Sequence, residues 1–261
     1  MDTIDIISGL FLFIIGTLFG SFYNVVIYRI PKGMTVAKGR SMCPSCNQTL
    51  HAIDLFPIFS WLFLKGKCRH CGEKISPRYL IIEFISGCLF VLAYITQGFT
   101  VGLILYAAFW SMLLIVTMID FDEMVISEHV LVAFTLICVI CLLIMREPIV
   151  DHLLGLVVGF GSFLLVYWLA KAYYKKEGFG FGDVELMGSL GLILGFRGSI
   201  QVMFLSVYIA LLGVIVMKMI GKAVKRHAEI PFGPYMCMSA FLVSLFEQPI
   251  YDLYAKIILG R

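Results

Sequence analysis

Charge is what this chain has least of. Only 14% of its 261 residues are Asp, Glu, Lys or Arg, whereas a soluble domain is about a quarter charged. With 61% hydrophobic residues and a mean hydropathy of +0.97, the composition excludes an ordinary soluble globule and gives a polytopic membrane protein. The net charge is only +3, and no nucleic-acid partner is expected. A cleavable leader is also not expected. The chain begins Met1-Asp-Thr-Ile-Asp5, acidic where a secretory signal is basic, and no small-residue cleavage site follows. The first apolar segment is therefore expected to stay as a membrane helix. Histidine is scarce too. His51 and His70 share one loop, while His129, His152 and His227 are scattered, so no Ser–His or Cys–His constellation suggests a nucleophilic mechanism. There is neither a glycine-rich cofactor fingerprint nor an internal repeat.

What is present is concentrated on one polar loop. Cys43-Pro-Ser-Cys46 and Cys68-Arg-His-Cys71 are separated by 21 residues, a spacing that fits a zinc ribbon with two turns each presenting two thiolates. His70, inside the second pair, is a possible ligand but not a needed one, because four thiolates complete a tetrahedron. Cys88, Cys138, Cys141 and Cys237 lie in apolar stretches and read as small buried side chains.

Apolar runs place about eight membrane spans near 6–28, 79–96, 101–119, 128–145, 150–172, 184–196, 199–218 and 234–255. A span ordinarily needs about 20 residues, so the short, glycine-rich sixth is expected to be tilted or packed inside the bundle. The fold class is thus all-α: a polytopic membrane helix bundle with a small zinc-ribbon-like loop. Three regions are expected: the first helix (1–29), the four-cysteine zinc-binding loop domain (30–78) and a multi-span domain (79–261). Basic residues orient them. Nine Lys and Arg lie between Arg29 and Arg78, three are Lys171, Lys175 and Lys176, and four are Lys218, Lys222, Lys225 and Arg226. Only Arg146, Arg197, Lys256 and Arg261 fall on the other side. The first group is cytoplasmic by the positive-inside rule, and a reducing cytosol suits metal thiolates better than disulfides. The basic loop surface also fits anionic membrane lipid.

Two acidic clusters fall at helix ends on that cytoplasmic face. One is Ile119-Asp120-Phe121-Asp122-Glu123; the other is Gly178-Phe179-Gly180-Phe181-Gly182-Asp183. Asp183 could simply cap a helix, and the first cluster could be a solvated helix end. Brought together, two carboxylates share one proton. The ionised one then activates a water while the other donates to a peptide carbonyl. Residues two apart on a helix face nearly opposite ways, so Asp120 or Asp122 could meet Asp183, but not both. Spacing does not choose between them.

At this point the residues resemble a family, the type IV prepilin leader peptidases, which are membrane aspartic proteases with a Gly-x-Gly-Asp motif. Gly20-Ser-Phe-Tyr-Asn24-Val-Val-Ile-Tyr-Arg29 is similar to its signature at the end of the first span. The two Cys pairs, Ser60-Trp61-Leu62 and Ile75-Ser76-Pro77-Arg78-Tyr79 resemble its loop pattern. Glu83 matches an acidic position in the next span, Pro231-Phe-Gly-Pro234 resembles a turn before the last, and Gly180-Phe-Gly182-Asp183 matches the catalytic motif. Glu185 departs from the pattern, standing where a lysine is usual, and Ile126-Ser127-Glu128 replaces an Ile-Pro-Asp.

The resemblance implies Asp120 and Asp183 as the catalytic pair, supported by Gly180 and Gly182, with Cys43, Cys46, Cys68 and Cys71 holding zinc. Asn24, Arg29 and Glu83 take structural, substrate or methylation roles; anchoring at the membrane interface is the plainer reading of each. The implied activity is hydrolytic removal of a short basic leader from prepilins or pseudopilins, after a glycine, at the cytoplasmic face of the bacterial inner membrane. Transfer of a methyl group from S-adenosylmethionine to the new amino terminus is implied as well. The alternatives are a small-solute transporter or channel with a cytoplasmic zinc module, and a non-enzymatic assembly factor docking through that module. Against the first, the charges cluster at one membrane face, not at the midplane.

Overall fold

The computed structural model describes residues 3–37, 39–43, 45–174, 180–219 and 231–259. Gly178 and Phe179 of the glycine run lie outside the described residues, as do His227 and the basic Lys38, Lys175, Lys176, Lys222, Lys225, Arg226 and Arg261. The described chain is all helical, with two isolated β-bridges and no strand. It forms two compact units, Met1–Ser111 and Met112–Arg261.

In the first unit, α1 (Thr3–Arg29) packs along α3 (Arg78–Gln97), and the unit ends within α4 (Val101–Glu123). Between α1 and α3 runs the polar loop, with a 3-10 turn at Ala52–Leu55 and the short α2 (Phe59–Phe63). Apolar side chains gain little by leaving lipid for one another, so membrane helices associate where small residues let backbones close in. Gly16 and Gly20, one turn apart on α1, do this. A Cβ at Gly16 would lie 2.8 Å from the Gly87 Cα, and one at Gly20 only 2.7 Å from the Glu83 Cα. The Tyr23 hydroxyl donates to Ser111 Oγ at 2.8 Å, and that hydroxyl donates on to the Ala107 carbonyl at 2.6 Å.

The second unit contains the rest of α4, α5 (Glu128–Met145), α6 (Ile149–Tyr174), α7 (Phe181–Met219) and α8 (Gly233–Leu259). Among the described residues six helices, α1 and α3 to α7, are long and apolar enough to cross a membrane. The sixth and seventh expected spans share α7, whose helical geometry breaks at Gly195 (φ 76°, ψ −175°). In a straight helix residues 191 and 199 would be about 12 Å apart along the axis. Yet Ser199 Oγ lies 3.1 Å from where a Gly191 Cβ would stand, and 2.9 Å from one at Gly159. The chain therefore doubles back at Gly195.

Residues 181–194 form a short arm of about 21 Å, too short for a hydrocarbon core of about 30 Å. Protein covers it instead: Val184, Leu186, Met187 and Leu190 are fully buried. The turn is held by the start of α6, where Asp151 Oδ2 accepts the Phe196 N–H at 3.3 Å and His152 Nδ1 meets the Leu192 carbonyl at 3.0 Å. The expected last span, α8, is less apolar. Its helix distorts at Phe246 and carries Pro249, next to Glu247 and Gln248.

Candidate active site and metal centre

The four loop cysteines converge. Their sulfurs all lie within 4.8 Å of one another, with Cys43 Sγ and Cys71 Sγ 3.9 Å apart. Tetrahedral zinc at about 2.3 Å from each sulfur sets neighbouring sulfurs roughly 3.8 Å apart, so the donor set and its spacing fit that ion. His70 is not in the cluster; its ring packs 6.3 Å from that of His51.

Two near-identical turns produce this convergence. The Cys43 N–H donates to the Gln48 carbonyl and the Asn47 N–H to Cys43; likewise Cys68 donates to Glu73 and Gly72 to Cys68. Asn47 (φ 55°) and Gly72 (φ 73°) occupy the same left-handed position, which Asn and Gly tolerate best. The bridges Met42–Thr49 and Lys67–Lys74 close the two turns. The two turns expected from the Cys spacing are therefore one local motif used twice, down to the left-handed residue after the second Cys of each pair.

The thiols are not equivalent. The Cys46 and Ser45 N–H groups outweigh burial and bring the Cys43 thiol down to about 7. At Cys71 the Glu73 N–H favours the thiolate, but desolvation and the neighbouring Cys68, Cys46 and Cys43 thiols override it, pushing Cys71 up to about 12. Four thiolates this close need a shared cation to coexist.

Arg29 and Glu83 tie the loop to its flanking helices, and Asn24 ties those helices to each other. Arg29, at the end of α1, is buried and donates to the carbonyls of Thr35, Gly39 and Arg40 at 3.2–3.3 Å. Asn24 Nδ2 donates to the Tyr79 carbonyl at 3.2 Å. Glu83 is buried and accepts the Ile58 N–H at 2.7 Å. Ile58 itself stands at φ 63°, a left-handed conformation that a β-branched residue adopts only under constraint.

In the second unit, Asp120 and Asp183 come within electrostatic range of each other. Asp120 is 5% exposed, and its Oδ2 has no hydrogen-bond partner; Asp122 and Glu123 are exposed. Asp183 starts the short arm of α7, its N–H donating to the Gly180 carbonyl at 3.2 Å. The glycines around it serve close approach. A Cβ at Gly180 would sit 3.3 Å from Asp183 Oδ2, and one at Gly182 would press to 2.9 Å on Ile126.

Two residues that the sequence did not assign complete the surroundings. A Cβ at Gly233 would come 2.6 Å from Asp120 Oδ2 and 3.5 Å from Ile126 Cδ1. One turn later Cys237 is buried, bonded to Thr117 and within electrostatic range of both aspartates. The Pro231-Phe-Gly-Pro234 turn was the available signal for Gly233. Glu185, the departure from the family pattern, lies within electrostatic range of Glu128 at the start of α5.

Comparison with known proteins identifies the family. The Bacterial Peptidase A24 N-terminal domain matches residues 14–97, and the Type IV leader peptidase family matches 107–216. A relative from Bacillus subtilis is 34% identical over 95% of this chain and 98% of its own. One from Klebsiella pneumoniae is 35% identical over 76% of this chain and 90% of its own, and one from Aeromonas salmonicida 30% over 95% and 94%. All three are named prepilin leader peptidase/N-methyltransferase, an enzyme and not a transporter. No solved structure matches. The chain belongs to the type IV leader peptidase family.

Proposed function

We propose that Asp120 and Asp183 are the catalytic dyad of a membrane aspartic endopeptidase that removes the leader of a prepilin or pseudopilin. The single observation that carries this is the pairing of a buried, unpartnered Asp120 carboxylate oxygen with Asp183 at the mouth of the short arm. A buried polar atom left without a partner calls for a functional explanation, and a water or a substrate carbonyl supplies one. With one proton shared by the pair, the ionised carboxylate takes a proton from water as its oxygen attacks the scissile carbonyl carbon. The protonated partner donates to the carbonyl oxygen. Collapse of the tetrahedral adduct breaks the C–N bond and passes a proton to the leaving amine.

The basic residues of the sequence support a cytoplasmic position for both the dyad and the metal loop. Within the regions 1–29, 30–78 and 79–261, the second is the metal-binding domain and the third carries proteolysis. Zinc, when bound to Cys43, Cys46, Cys68 and Cys71, supplies a structural crosslink and no chemistry. Methylation by S-adenosylmethionine is proposed from the relatives' name alone. No glycine-rich cradle for that cofactor is found among the described residues, so no step is derived through it.

The test is incubation of the purified protein with a prepilin-like peptide, followed by mass analysis with and without S-adenosylmethionine. Loss of the leader mass is the expected outcome, and a further gain of one methyl reports transfer. Intact peptide from a folded, zinc-loaded enzyme would overturn the assignment.

A further inference from the structure

The polar loop carries an apolar surface that metal binding does not explain. Phe63 is 83% exposed, Ile53 73%, and Phe56, Phe59 and Leu62 each about half. The three phenylalanine rings form a chain, 5.8 Å from Phe56 to Phe59 and 6.5 Å from Phe59 to Phe63. Together with Ile53 and Leu64 they line a shallow groove with Arg69 at its rim. Exposed apolar patches of this kind mark contact with a partner or a membrane.

The level of α2 along the membrane helices favours lipid as the partner. Ile58, directly before α2, donates its N–H to Glu83, five residues into the membrane helix α3. That is about 7.5 Å below the helix start. Glu83 in turn lies against Gly20, nine residues before the end of α1, or about 13 Å along it. A headgroup layer is only some 5–8 Å thick on each side, so with the start of α3 taken as its water-side edge, α2 begins near the boundary between headgroups and acyl chains. Charge agrees. Exposed Lys65, Lys67 and Arg69 follow α2 directly, and segment 30–78 contains eight Lys and Arg against only Asp54 and Glu73. That excess attracts an acidic phospholipid surface and repels a basic leader peptide.

We propose that Phe56, Phe59 and Phe63 form an in-plane anchor seated at the headgroup–acyl boundary of an acidic phospholipid membrane. The aromatic chain enters the apolar boundary as an interfacial helix does, with the lysines after it toward the phosphates. The anchor holds the metal loop down against the bilayer from which its two flanking helices emerge.

The test places p-benzoylphenylalanine at position 63, and separately at 59, in the full chain. Each protein is reconstituted in vesicles of phosphatidylcholine, alone or mixed with phosphatidylglycerol, irradiated, and its adducts identified by mass. Lipid adducts should dominate at both positions, and their yield should rise roughly twofold or more with phosphatidylglycerol. Zinc content is read on the same samples, and the two positions are independent, so one misfolded variant leaves the other to decide. Adducts to a second copy, to another part of this chain or to an added prepilin peptide would overturn the anchor, and so would a zinc-loaded protein giving no adduct.

Discussion

The two compact units hold their chemistry in place by opposite means. In the first, a stretch of about fifty residues between two membrane helices gains order from four thiols, two matched turns and the side chains of Arg29 and Glu83, with a single short helix and little buried core. In the second, the aspartates are placed by backbone packing. Gly155 and Gly159 on α6 admit the short arm of α7 at distances where any side chain would collide, and that arm carries Asp183. A metal loop is broken by removing one ligand. A glycine-packed hairpin is broken by adding one methyl group.

The largest effect is expected at the proposed dyad of the second unit. Asp120→Asn or Asp183→Asn should lower leader cleavage by roughly a thousandfold or more, within the range that general acid–base groups supply, with zinc content unchanged. Near-normal cleavage by either variant would remove the dyad. Next comes the packing itself. Gly233→Ala puts a methyl group 2.6 Å from Asp120 Oδ2, so the carboxyl must move, and kcat/KM should drop on the order of tenfold to a hundredfold. Gly161→Ala is the matched control, because nothing lies within 4 Å of its added Cβ. Equal activities of the two variants would show that the Gly233 contact does not position Asp120.

In the first unit the expected loss is of metal, not of proteolysis. Cys43→Ser should release zinc, read by metal analysis, and loosen the loop, read by faster amide exchange across 40–75. Because both aspartates belong to the other unit, leader cleavage should change far less than in the aspartate variants. Retention of a full equivalent of zinc would exclude the four-cysteine centre.

This contrast also explains what could be read from the sequence. The helices, the Cys pairs and the glycine run were legible because each is local: long apolar stretches, two-residue spacings, a motif of four residues. The short, glycine-rich sixth segment, 184–196, was legible as something unusual, since so short a run does not cross a bilayer. Its turn at Gly195, clamped by Asp151 and His152, was not, because that clamp joins residues 40 and 45 apart. Gly233 against Asp120 escaped for the same reason. A glycine's reason for being there is a neighbour that only the fold supplies. Glu83 was legible as an acid near the start of its span but not as a buried acceptor for Ile58, whose left-handed backbone gives no sequence signal in a β-branched residue. The repeated turn was visible in principle, Asn47 and Gly72 each following the second Cys of a pair.

The smallest effect returns to the first unit, at its ion pair. Arg69 Nε donates to Asp54 Oδ1 at 2.7 Å, with Asp54 almost fully covered and Arg69 half exposed. Covering Asp54 disfavours its charge, but the Arg69 guanidinium and the His51 N–H more than compensate and hold the carboxyl below its usual range. A carboxylate with a lowered folded pKa stabilises the loop above the unfolded value near 3.9, and that contribution disappears as pH falls through the folded value. From about pH 5 upward Asp54 itself stays ionised, and with Arg69 half in water the pair is worth no more than about 1 kcal/mol. Asp54→Asn should raise amide exchange around 51–56 by severalfold at most at pH 7. Unchanged exchange there would place the loop's support elsewhere, in the thiols that the Asp54–Arg69 pair borders.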